Sequence, residues 1–146
     1  MSSAVGRLQE GIKICIYLVK KKDMSDGEFV RYYSETHARL ALPALVRHAC
    51  ISYTQFHCCQ SATKEAVTTI FGREAVEPGN ALHVMPYDAC SSFVFPSIQQ
   101  AQAFFHDEET AKILGPDAGS FTDPSGLQIA VGREFIAIAE SNVVKA

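Results

Sequence analysis

The stretch from Ser25 to Pro43, SDGEFVRYYSETHARLALP, constrains the chain most, because it specifies both where a helix starts and which side of it turns inward. Ser25 is placed to accept from the backbone N–H of Glu28, whose carboxylate can return the bond, and Met24 and Phe29 are spaced as a hydrophobic staple. Phe29, Tyr33, His37 and Leu40 then follow at offsets of four, four and three, so an imidazole shares one stripe with two aromatic rings and a leucine. The register carries to Leu40, and Pro43 predicts a break before a short continuation over Ala44 to His48.

A chain of 146 residues, 47% hydrophobic and 20% charged, has room for one respectable core and too little for two. A single domain over residues 1–146 is expected, ordered from about residue 11 to residue 140. Thirteen basic against 16 acidic residues leave no footprint for nucleic acid. Apolar runs such as Ile12 to Val19 and Gly132 to Ala139 are too short to span a bilayer, and Met1 to Gly11 lacks a signal-peptide core, so a cytoplasmic protein with no membrane partner is expected. Lys20, Lys21 and Lys22 read as a solvated turn. Cys15, Cys50, Cys58, Cys59 and Cys90 show no C-x-x-C spacing and read as reduced, mostly buried thiols.

Ile12, Ile14, Ile16 and Leu18 alternate with Lys13, Cys15, Tyr17 and Val19 in a first strand. Ile51 to Cys59 is a second, with Tyr53, Gln55 and His57 on one face. Buried polar groups need partners, so that face is either wet or lines a pocket. A helix over Ser61 to Val76, a strand over Tyr87 to Phe95, a capped helix after Ser97, a short helix opened by Asp107, Glu108 and Glu109, and a last strand over Arg133 to Glu140 complete the order. Strands alternating with helices in this way predict an α+β fold of the ferredoxin-like split βαβ type, a four-stranded antiparallel sheet with helices on one face. Apolar residues on both faces of the first and last strands point to a second copy sealing the open face in a two-fold homodimer.

KKKDMSDGEFVRYYSETHARLALPALV followed by YTQFH resembles the fungal branch of the EthD-domain family, whose usual pattern is a strand, a K-K-x-x-x-S-x-x-E-F-x-x-Y-W run, a helix ending in H-x-x-L, and a second strand. The YDACSSFVF strand, the helix after Ser97, and Asp117 with Phe121 and Asp123 are similar to the family's later part, so the resemblance covers Lys13 to Glu140. It implies a dimeric α+β barrel and a small tailoring lyase acting on an aromatic polyketide. The YTQFH strand most resembles proteins that decarboxylate anthrone carboxylic acids of the endocrocin type. Tyr32-Tyr33 stand where the family usually has Tyr-Trp, and His37-Ala38-Arg39-Leu40 replaces H-x-P-L. Arg39 either anchors a substrate carboxylate or lies on the solvent side of its helix.

Decarboxylating a hydroxyaryl acid without a cofactor requires an acid that protonates the ring carbon at neutral pH, and imidazole has the suitable pKa. Of His37, His48, His57, His83 and His106, the two that local geometry aims inward are His37 and His57, which become the catalytic candidates if both reach one pocket. Tyr53, Gln55 and Asp88 could then hold substrate oxygens, with Phe29 and Tyr33 stacking on flat rings. Tyr53 and Gln55 could instead bond backbone groups, and Asp88 could cap a turn. No H-E-x-x-H or His-x-Asp spacing marks a metal site, and no motif marks a nucleotide, flavin or haem, so neither metal nor cofactor is expected. A decarboxylase leads, with a dehydratase or cyclase on a related polyketide as one alternative and a non-catalytic dimeric binding protein for a hydrophobic metabolite as another.

Overall fold

The computed structural model describes residues 4–80 and 82–146. Its short first strand, β1 (Arg7–Leu8), precedes the central strand β2 (Ile12–Leu18), and β3 (Ser52–His57), β4 (Ala89–Phe95) and β5 (Gln128–Gly132) join β2 in one sheet. The spatial order is β3-β4-β2-β5 with every pair antiparallel. This is the ferredoxin-like arrangement expected from the pattern, as an open sheet within one chain. Ile14, Leu18, Ala89, Phe93 and Phe95, all buried, lie on the face that the helices cover.

The helix beginning at Ser25 is capped as its sequence dictates, with Ser25 Oγ accepting from Glu28 N at 3.1 Å. It runs as α1 (Asp26–Arg31), a π turn over Tyr32–His37, and α2 (Ala38–Arg47), without a break at Pro43. Two causes overturn the expected stop. Pro43 sits on the exposed side, where water can take the carbonyl its missing N–H leaves free. Ala41, Ala44 and Leu45 on the other side are buried against the sheet, and that packing holds the last turns. The π turn also redirects the stripe: one extra residue per turn rotates Leu40 outward and puts Ala41 in the core.

Beyond the second strand, α3 (Gln60–Phe71) ends at Gly72, whose φ of 89° stops the helix well short of Val76. After α4 (Ile98–Phe105), a second π turn over Thr110–Leu114 leads into α5 (Gly115–Gly119). The fourth sheet strand is β5, whereas Arg133–Glu140 contributes only the short β6 (Phe135–Ile136) and β7 (Ile138–Ala139). These pair with β1 and with β8 (Asn142–Val143) outside the main sheet. The alternation after Arg133 was a truer strand pattern than QIAVG, but register decides: the turn through Asp123–Gly126 delivers Gln128 opposite Tyr17 and Gly132 opposite Lys13. No helix among the described residues is long and apolar enough to cross a membrane.

Candidate active site

Between the helices and the covered face of the sheet lies a cavity of about 290 Å³. Its wall is apolar, with Ile16, Phe93, Phe104, Leu114 and Phe121 prominent, and it is interrupted by four polar side chains, His37, Tyr53, Ser91 and Thr110. None of the lining residues is a lysine or an arginine. Arg39 is exposed, on the solvent side of its helix.

His37 closes the first π turn. Its Nδ1 lies 2.7 Å from Oδ2 of Asp117, in α5, and Tyr32 from the same π turn donates its hydroxyl to Oδ1 at 2.5 Å. A carboxylate only accepts, so Nδ1 carries the proton and Nε2 is the nitrogen left for the cavity that His37 lines. Both oxygens of Asp117 are therefore committed to holding one tautomer and one ring orientation. The hydrogen bond to Asp117 also raises the Tyr32 phenol above its ordinary range.

The second polar group is a chain along β3. Gln55 Nε2 donates to Tyr53 Oη at 2.8 Å and to the Tyr33 carbonyl at 3.0 Å, and its Oε1 lies 3.0 Å from His57 Nε2. The Tyr33 carbonyl is the one that the π turn shifts onto the N–H of Ala38, so Gln55 pins the irregular turn to the sheet. With both amide hydrogens of Gln55 used, its oxygen accepts from His57, and the proton of His57 is on Nε2. His57 Nδ1 is buried with no partner among the described residues, and burial lowers the pKa of the ring. His57 is thus held neutral. Burial raises Tyr53 above the usual phenol range, opposed by hydrogen bonds from Gln55, Ser91 and Tyr33.

His37 and His57, read from sequence as one catalytic pair, do not share a pocket. His57 lines a separate cavity of about 340 Å³ with Tyr17, Phe56, Val67 and Met85, and the Tyr33 ring packs near both imidazoles, 6.2 Å from His37 and 5.3 Å from His57. Tyr33 and Phe29 are fully buried in a cluster with Phe121 and back the site without lining it. The hydroxyl of Tyr33 is bonded to Ser91, and burial holds it far above the phenol range. Asp88 is turned away from the cavity; it accepts from Lys20 N at 2.8 Å and Gln60 N at 3.4 Å, tying the start of α3 to the end of β2. Of the seven residues singled out, His37 and Tyr53 reach the main cavity.

Sequence reasoning passed over Ser91 and Thr110, and used Tyr32 and Asp117 only as family landmarks. Ser91 had a signal, a lone hydroxyl among Ala89, Phe93 and Phe95 on one strand face. Asp117 had none of its own, because its partners lie 80 and 85 residues away. Of the remaining histidines, His48 pairs with Asp107 at 2.6 Å, His106 Nδ1 lies 3.0 Å from the Gln102 carbonyl, and His83 is exposed, outside the cavity lining. Among the described residues no three His, Cys, Asp or Glu side chains gather in a metal-binding arrangement. Burial raises the thiols of Cys50, Cys58 and Cys90 and pushes Cys59 up to about 11.

Two known proteins bear on this architecture. Dehydratase CTB10 from Cercospora beticola is 28% identical over 109 residues, which is 74% of this chain and 77% of that protein. The crystal structure of an EthD family protein from Bacillus halodurans superimposes with a TM-score of 0.55, covering 85% of this chain and 98% of its own at 14% identity, a likeness of fold. Residues 21–125, from the lysine turn through both π turns to the approach to β5, match the EthD domain, and the chain belongs to the EthD-domain family.

Proposed function

We propose that the chain is a cofactor-independent lyase that tailors aromatic polyketides, and that it removes water from a neutral polycyclic hydroxy-ketone. The observation that carries this is the His37–Asp117 pair on the wall of an apolar cavity lined by no lysine or arginine. An unpaired carboxylate is costly to bury, and Arg39 is not there to receive one, so an uncharged substrate suits the cavity best. The resemblance to a protein named a dehydratase agrees with it.

His37 Nε2 takes a proton from the carbon next to the substrate carbonyl. The electron pair of that C–H bond moves onto the carbonyl oxygen, to which the Tyr53 hydroxyl donates. As the pair returns to form the C=C bond, the C–O bond to the leaving hydroxyl breaks, the imidazolium gives back its proton, and water departs. Asp117 stabilises the imidazolium between the two transfers.

Decarboxylation is the second reading, favoured by the resemblance of the Tyr53–His57 strand to anthrone carboxylic acid decarboxylases. An apolar cavity would speed loss of a carboxylate once it had entered. Incubation with a panel of polyketide alcohols and acids, followed by mass analysis, separates loss of water from loss of carbon dioxide. Equal product formation by His37→Ala would remove the acid–base role given to His37, and binding without product from any member of the panel would make the chain a binding protein. It works as a homodimer without a metal. Exposed Phe56 on the sheet's second face and Ile129 and Val131 on its edge strand support the dimer. Light scattering should report twice the 16.0 kDa chain mass, and dialysis against a chelator should leave turnover unchanged.

A further inference from the structure

Three of the cavity's four polar side chains already have partners. His37 is bonded to Asp117, the Tyr53 oxygen accepts from Gln55, and Ser91 is bonded to Tyr33. Thr110 is the exception: its hydroxyl is cut off from solvent and has no hydrogen-bond partner among the described residues. Helical threonines ordinarily settle this by bonding a carbonyl one turn back, as Thr63 does to Cys59 and Thr68 to Lys64. Thr110 follows directly on the cap at Asp107, which accepts from the N–H groups of Glu109 and Thr110, so no helical turn precedes it to offer a carbonyl. It also opens the second π turn, which faces the cavity from the side opposite the sheet.

We infer that Thr110 is a specificity-determining residue, whose hydroxyl pairs with a ring oxygen of the substrate other than those engaged by His37 and Tyr53. This rests on the cavity being the substrate site. A buried hydroxyl without a partner destabilises the empty protein, and a bound phenol or ring carbonyl within reach of a χ1 turn supplies what is missing. The substrate class narrows accordingly, to polycycles bearing at least one oxygen beyond the carbonyl and the leaving group. A site built to bond an oxygen rejects the analogue lacking it more strongly than an apolar wall rejects an extra one.

The test uses binding rather than turnover, so it can succeed or fail whatever reaction the protein catalyses. Calorimetric titration with 1-naphthol and with a set of dihydroxynaphthalenes should show at least one diol bound about tenfold more tightly than 1-naphthol by the wild-type protein. Thr110→Val should abolish that preference while leaving 1-naphthol affinity intact, and Thr110→Ser should keep it. Without ligand, Thr110→Val should melt about 4 °C higher than wild type, because it removes an unmet hydroxyl at constant shape. A Val variant that keeps the preference, a Val variant that melts lower, or failure of every naphthol to bind overturns the assignment. Loss of the lyase activity proposed above, with the diol preference present and abolished by Val, would overturn only the reaction.

Discussion

The molecule contains two His–Asp pairs that are nearly indistinguishable by distance and exposure. His37 and Asp117 meet at 2.7 Å with side chains 15% and 13% exposed, and His48 and Asp107 meet at 2.6 Å with side chains 17% and 14% exposed. What differs is the company of each carboxylate. Asp117 has Tyr32 on its second oxygen and holds a ring whose other nitrogen is left for a cavity. Asp107 is shared with Arg47 and with the N–H groups of Glu109 and Thr110, and its histidine packs on Phe104. The first pair is arranged to move a proton, and the second ties the end of α2 to the helical turn that opens after Asp107 and leads into the second π turn. Pair geometry alone would have nominated both.

The sharpest way to break this contrast is to truncate each histidine. His37→Ala should lower kcat about a hundredfold to ten-thousandfold with its melting curve and circular dichroism retained, while His48→Ala should leave kcat near normal. Similar losses from both would erase the distinction. Substitution of the carboxylates should split the same way: Asp117→Asn, whose amide donates where a carboxylate accepted, should lose most turnover, and Asp107→Asn should lower the melting midpoint and spare kcat. Tyr32→Phe sharpens the picture further, because it releases one Asp117 oxygen without touching His37. It should cost less than about tenfold in kcat and shift the pH–rate profile, a readout that a purely structural tyrosine would leave fixed.

The smallest effect belongs to His57. Its folded pKa lies below 6.5, so the unfolded chain binds the extra proton, and the stability from its neutral burial is present above pH 6.5 and lost as pH falls. Urea titrations from pH 7.5 to pH 5 should show wild type weakening and His57→Gln weakening less. Parallel slopes would mean that His57 is free to charge in the folded state.

The cap at Ser25, the inward turn of His37, the sheet topology and the polar face of β3 were all legible in the sequence, since each rests on residues within a few positions of one another or on a period that survives folding. The site itself was legible only in part. His37 and Tyr53 announce themselves by pattern, but Asp117 joins them only through the packing of α5 against the first helix. His57 misled because a strand face predicts direction and not destination: its ring packs against buried Tyr33 and lines a different cavity from His37. Pro43 and the strand after Arg133 misled because local rules for ending a helix or choosing a strand gave way to burial of Ala44 and Leu45 and to the register with β2.

The π turn at Tyr32–His37 makes the site a matter of counting. Deleting one of the exposed Ser34, Glu35 or Thr36 would restore an unbroken α-helical ladder and a helix better bonded than the natural one. Everything after it would stay in phase with Phe29 and Tyr33, because the wide turn is what absorbs the extra residue, and the Ala38 N–H would still meet the Tyr33 carbonyl. The extra residue is thus taken up locally, in the one turn that carries both Tyr32 and His37, the two side chains that hold Asp117.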